Sequence, residues 1–238
     1  MSPPATTNAT APAITTPALH LDPVTARSSN IAYSGPVYER TAAGEVVPYS
    51  PTAAAPTAAT GVAASTGGSA AAGGSTPLAK TIPANALTGP TPRPQLLVPG
   101  TTARYVNGLA AAPLGVPLPV QEIIWAGNEL IGLPYIYGGG HASFVSQGYD
   151  CSGTVSFALH GAGLLTTPED SSEFMVSNSH GVGRYVAIFS NPGHAYMTVA
   201  GLRLDTSAAD DPTNQQGPRW RPLRRANSGY VVRHPLGL

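Results

Sequence analysis

From Thr52 to Ala79 the chain is nearly free of charge and of large apolar side chains. Such a stretch cannot bury enough surface to offset the entropy of ordering it. It reads as a flexible tether, and any core has to be built elsewhere. Residues 1 to about 100 share the bias toward Ala, Thr, Pro, Ser and Gly. The expectation is a disordered region over 1–100 and a folded domain over 101–238. Two apolar islands inside the first region, Ile31-Ala32-Tyr33 and Leu96-Leu97-Val98, are candidates for local docking, and nothing repeats at a solenoid period. Residues 101–119 stay rich in Pro and Gly and read as a lead-in lying on the domain surface.

Charge narrows the partners. Charged residues are 10% of the chain, against about a quarter in ordinary globular domains. The net charge is zero, so no global field argues for nucleic acid or for an anionic membrane. No apolar run reaches the length of a membrane span. The N-terminus lacks a basic n-region and an apolar h-region, so no signal peptide is expected. The chain has one Lys and 11 Arg, and the arginines from Arg203 onward make the C-terminal end locally basic. There, Trp220 with Arg219, Arg221, Arg224 and Arg225 reads as a patch for an anionic polymer or as a solvated basic face packed by one aromatic. A single cysteine excludes an intrachain disulfide framework and a cysteine-based zinc site.

Periodicity begins at Val120. Ile123, Ile124, Leu130 and Ile131 mark one helix face, which Gly132 and Pro134 end. Tyr135-Ile136-Tyr137-Gly138-Gly139-Gly140-His141 then forms a Gly-rich turn. It is not a phosphate loop, because no Gly-Lys-Ser/Thr follows. The turn approaches Tyr149-Asp150-Cys151-Ser152-Gly153, which holds the lone cysteine. Val155, Ala158, Leu159 and Ala162 follow at one-face helical spacing, with Gly163 as the stop. Asp150 suits the N-cap, which puts Cys151 in the first turn, where backbone N–H groups and the helix dipole favour a thiolate. Spacing alone leaves two readings of Cys151 open, a nucleophile or a small buried apolar residue.

Farther on, Ser171 and Ser172 are placed to start a short helix. The pattern then changes to strand. Tyr185 to Phe189 is one run, Asn191-Pro192-Gly193 a turn, His194 to Val199 a second run, and Leu202 to Thr206 a third after the tight turn Ala200-Gly201. A two-residue turn at Ala200-Gly201 sets Val199 against Leu202, Tyr196 against Asp205 and His194 against Ser207. His194, Tyr196, Arg203 and Asp205 then share one face, with Asp205 within diagonal reach of His194. A three-residue turn would move Asp205 to the other face.

A helix-borne Cys and a strand-borne His oriented by a carboxylate are the parts of a cysteine nucleophile triad. Taken alone, His194 reads equally as an edge-strand histidine, and Asp205 as a solvent-facing polar residue. His141, close upstream of Cys151, either lines the cleft or is a plain loop residue. His160 and His180 show no ligand spacing with it, so no catalytic metal is expected.

The wording of these segments resembles the NlpC-type cell-wall cysteine peptidases over roughly residues 115–210. Pro134-Tyr135-Ile136-Tyr137-Gly138-Gly139 is similar to that family's Pro-Tyr-x-x-Gly-Gly segment, and Asp150-Cys151-Ser152-Gly153 to its nucleophile motif. Gly193-His194 is similar to its His segment, and Leu204-Asp205-Thr206 falls where its third polar residue stands. The resemblance implies an α+β, papain-like domain with helices packed on a small antiparallel sheet. It implies Cys151 as nucleophile, His194 as base, Asp205 as the third residue and Tyr135 as an oxyanion-hole donor. By the same resemblance, Asp150 and Ser152 help hold the free amine of a stem peptide. The implied reaction is hydrolysis of a bond between D-glutamate and a diamino acid in peptidoglycan stem peptides, with no cofactor, by a monomer in the cell envelope or secreted. Asp205 departs from the family's usual His, Gly183-Arg184 stands where Pro-Gly-Asp is usual, and the segment around Met197 lacks the Val-Gly-Ile-Tyr wording. Two rivals stay open: an amidase or acyltransferase with another substrate, and a non-catalytic cell-wall-binding module of the same fold.

Overall fold

The computed structural model describes residues 33–51, 89–209, 214–221 and 227–238. The expected tether from Thr52 to Ala79 lies outside these residues. The described chain is α+β, with two α-helices and two sheets. The first sheet is built from β1 (Tyr38–Arg40), β2 (Val46–Pro48), β3 (Gln95–Val98), β4 (Arg104–Val106) and β5 (Leu109–Pro113), in the order β2-β1-β3-β5-β4. Only β3 and β5 pair in parallel within it. Helices α1 (Leu118–Glu129) and α2 (Cys151–Gly161) follow. A second sheet, antiparallel throughout, comprises β6 (Ser179–His180), β7 (Val186–Asn191), β8 (His194–Val199), β9 (Leu202–Asp205), β10 (Arg219–Arg221) and β11 (Val231–His234). Its order is β10-β9-β8-β7-β11-β6. No described helix is long and apolar enough to cross a membrane.

The structure corrects two expectations about the first half. Residue 100 is not a boundary, because β1, β2 and β3 join β4 and β5 in one sheet. The island Leu96-Leu97-Val98 is β3, buried on both faces: Leu97 enters the main core, while Leu96 and Val98 pack with Val106 and Ala111. Residues 101–119 are likewise no surface lead-in. They form the β4–β5 hairpin about Asn107-Gly108, both at positive φ (49° and 87°), the geometry of a type I′ turn. Ala110 and Ala112 are buried and small enough for α1 to approach the sheet closely, while Ala111 is buried on the other face.

Helix α1 joins the two sheets. Pro117 and Pro119 suit its start, and Gly132 at φ 94° suits its end. Val120, Ile123 and Ile124 enter the core it shares with α2 and the second sheet. Its buried Asn128 accepts the Ala110 N–H and donates to the Ala110 carbonyl, both at 2.8 Å, and accepts the Trp220 indole N–H at 2.8 Å. One amide thus ties β5 to β10. Gly127 makes room for the indole, since a Cβ there would lie 2.7 Å from Trp220 Cζ2.

The β8–β9 hairpin has the predicted register, while β7 runs two residues farther than expected and takes Asn191 out of the turn. Asn191 opposes His194 across Pro192-Gly193, and Val199 opposes Leu202 across Ala200-Gly201, which take φ 46° and 96°. Alternation sends Val186, Ile188, Ala195, Met197, Val199, Leu202 and Leu204 into the core. Ala187, Phe189 and Tyr196 belong to a separate cluster, with Tyr230 and Val232 packed on it. Ser172 does precede a short helix, a single 3-10 turn at Glu173–Met175, and the Asp170 carboxylate accepts the N–H groups of Ser172 and Glu173.

Candidate active site

Cys151 opens α2, and Asp150 sets it there. Asp150 is extended, and its Oδ1 accepts the Gly153 N–H at 2.8 Å, a side-chain N-cap. Oδ2 accepts the Gly138 N–H at 3.0 Å, and the Asp150 N–H donates to the Gly139 carbonyl. The Gly-rich turn is therefore tied directly to the helix start. Its crossing is so close that a Cβ on Gly153 would sit 2.0 Å from the Gly139 oxygen. Gly140, at φ 89°, lies against the Tyr149 ring and the Gly153 Cα. The glycine of Asp-Cys-Ser-Gly is there because backbone passes over it.

From the other side comes His194, the first residue of β8. Its Nε2 bonds Asp205 Oδ1 at 2.9 Å, which leaves Nδ1 as the nitrogen open to another partner. The imidazole and the Ala195 N–H both lie near enough to the Cys151 sulfur to lower its pKa. Cys151 is 9% exposed and lies outside the apolar clusters that hold Val155, Ala158, Leu159 and Phe157. Asp205 is 1% exposed, and its Oδ1 also accepts the Ser207 N–H at 2.8 Å. It is not a solvent-facing polar residue, because β10 and the 206–209 turn cover it.

The electrostatics follow from these contacts. Burial works against a charged Cys151, but hydrogen bonds from His194 and Ala195 and the imidazolium charge outweigh it, although Asp150 opposes. The thiol pKa falls below its ordinary value. Burial likewise disfavours a charged His194, yet its bonds to Asp205 and Cys151 push its pKa up to about 9. With its pKa near 9, His194 is an imidazolium at neutral pH, and its charge favours the thiolate form of the neighbouring sulfur. Tyr135 sits at the mouth, 41% exposed. Burial, then the charges of Cys151, Asp150 and Tyr137, raises its pKa, so its hydroxyl stays protonated and able to donate.

Asp150 and Ser152 are both buried and already engaged. His141 reaches back from the turn, with Nε2 3.0 Å from Asp150 Oδ1 and 3.1 Å from Ser152 Oγ. Both contacts use one ring nitrogen, so this is no Ser–His–Asp relay, which needs two. His141 is neither a free loop residue nor in contact with the thiol; it braces the cap. Among the described residues no group of three or more His, Cys, Asp or Glu could hold a metal ion.

The basic C-terminal end is corrected too. Trp220 is buried with its N–H on Asn128, and Arg221 is buried with its Nε 2.9 Å from the Asp205 carbonyl. Pairing of β10 with β9 draws them inward, so they form neither a polymer-binding patch nor a solvated face. Arg224 and Arg225 lie outside the described residues. Two features had no sequence signal: the burial of Arg203, whose Nε is 3.5 Å from Asp205 Oδ2, and the edge-on approach of Tyr230 to the His194 ring. Arg203 was legible only as a residue on the His194 face.

No family model matches the chain, and no curated protein matches it. Among solved structures, an NlpC/P60 family protein from Bacillus cereus is similar at 21% identity and a TM-score of 0.37, over 49% of this chain and 40% of that one. The chain thus spans about two-fifths of that neighbour's length.

Proposed function

We propose that the chain is a cysteine hydrolase of peptidoglycan stem peptides, papain-like in fold, cutting an amide bond between D-glutamate and a diamino acid. The observation that carries the reaction class is an imidazole held by a buried carboxylate and placed where it lowers the pKa of a thiol at a helix start. The Cys151 thiolate adds to the acyl carbon, and the Cys151 N–H with the Tyr135 hydroxyl receives the oxyanion. Collapse breaks the C–N bond, and the leaving amine takes the His194 proton. Water then gives its proton to His194 and attacks the thioester, releasing a carboxylate and restoring the pair. The substrate class rests on the likeness of Pro134–Gly139, Asp150–Gly153 and Gly193-His194 to the cell-wall peptidases. A cell-envelope or secreted location goes with it.

One observation favours a second reading, an amidase or acyltransferase acting on another substrate. Asp150 and Ser152, the positions expected to hold a substrate amine, are bonded to His141 and to backbone N–H groups.

Digestion of purified stem peptides and muropeptides by the full chain, followed by mass spectrometry, tests the proposal. Cleavage between D-glutamate and the diamino acid is expected, and Cys151→Ala should abolish it while leaving sedimentation with cell walls unchanged. A Cys151→Ala protein that still cuts would sink the reading. A Cys151 that reacts with iodoacetamide at neutral pH no faster than free cysteine would favour the non-catalytic wall-binding module.

A further inference from the structure

The Asp205 carboxylate lies 1% exposed, in a place where an isolated carboxylate would take up a proton. Its Oδ1 has two donors, His194 Nε2 and the Ser207 N–H. Its Oδ2 takes no hydrogen bond among the described residues and faces the guanidinium of Arg203, with Nε at 3.5 Å. Arg203 is itself fully buried. It donates to the Ala209 carbonyl at 2.6 Å and lies over the Tyr196 ring at 5.9 Å. Tyr196 is in turn held by Asn227 at 2.7 Å and by the edge of Tyr230. A guanidinium cannot shed its proton here, so the cation behind Asp205 is permanent. Charges therefore alternate from the Cys151 thiolate through the His194 imidazolium and the Asp205 carboxylate to Arg203.

We propose that Arg203 is a positioning residue for the reacting pair, holding the Asp205 carboxylate with its Oδ1 turned to His194. This rests on the reading of Cys151 and His194 as that pair. Without the cation, Asp205 is a buried carboxylate with one partnered oxygen. Its Oδ2 then faces no partner, its hold on His194 loosens, and the sulfur loses the imidazolium that favours its thiolate. The other titratable or charged groups around the pair are Asp150 at the helix start, Tyr135 in the turn before it, and Tyr196 and Tyr230 beside the imidazole. Arg221, opposite Arg203 on β10, bonds the Asp205 carbonyl and not its carboxylate.

The rate of iodoacetamide alkylation of Cys151 against pH tests this without any substrate. Arg203→Met should move the acid limb upward by about one pH unit, roughly a tenfold slower reaction at pH 6, and Arg203→Lys should recover part of it. An unchanged limb would make Arg203 merely structural, and a downward shift would mean that its cation works against the pair; either overturns the proposal. Arg203→Met/Asp205→Asn, which leaves no buried partner charge, should react like Asp205→Asn alone, and any additional shift also overturns it. That comparison stands even where Arg203→Met does not fold. If wild-type Cys151 shows no enhanced reactivity, the reading of the pair fails, and with it the basis of the proposal; hydrolysis of stem peptides can fail independently of both.

Discussion

Two His–Asp contacts flank Cys151, one in the Gly-rich turn and one on the hairpin, and they are nearly the same length. His141 stands 3.0 Å from Asp150, and His194 stands 2.9 Å from Asp205. Their surroundings divide them. Asp150 also serves two backbone N–H groups, and the single His141 nitrogen that meets it also meets Ser152. That assembly holds a turn onto a helix. Asp205 takes one end of an imidazole whose other nitrogen is left for the thiol. A His–Asp distance therefore says little about chemistry until the partners of the second nitrogen and the second oxygen are known.

The sharpest way to break this comparison is to remove each imidazole. His194→Ala should lower kcat/KM about 10³-fold, within the range for a lost general acid and base, while His141→Ala should cost less than about tenfold and act through the cap. Equal losses on muropeptide hydrolysis would mean that both sides do chemistry. A smaller contrast is expected between the carboxylates. Asp205→Asn should reduce the rate about 100-fold with little change in KM, whereas Asp150→Asn should mainly lower the unfolding free energy, by about 1 kcal/mol. Circular-dichroism melts and kinetics on the same preparations separate the two. The smallest effect is in pH dependence. The folded pKa of His194 is about 9, above its unfolded value near 6.5. The stabilisation from its charge is therefore complete below the unfolded value and is lost as pH rises through about 9. Unfolding followed from pH 6 to 10 should show this decline in the wild type and lack it in His194→Ala; a decline of equal size in both would assign it to other groups.

How much was legible in the residues follows from side-chain size. In the β8–β9 hairpin, Ala200-Gly201 admits the left-handed backbone of a two-residue turn, and apolar residues alternate with charged ones along β9, so register and the nearness of His194 to Asp205 could be worked out. The helix of Cys151 was legible for the same reason, with its cap and its stop both marked. The first sheet was not. Strands β1, β2 and β4 are three residues each, too short for a period, and β5 is mostly alanine, whose burial no hydropathy pattern announces. Only the island Leu96-Leu97-Val98 stood out, and it became β3. Arg221 read as surface charge, and Arg203 only as a neighbour of His194, because a strand shows which residues share a face, not what another strand will lay over it. His141 reaches Asp150 only once three glycines have folded the turn back.

His194 and Asp205 belong to neighbouring strands of one meander and meet through local pairing. The sulfur belongs to a helix far upstream that must seat against β8 before the imidazole can touch it. Until that seating, the chain carries an ordinary thiol with an ordinary appetite for electrophiles. Nucleophilic strength is thus withheld from nascent and half-folded molecules, and thiol reactivity measured during refolding would time the arrival of the helix.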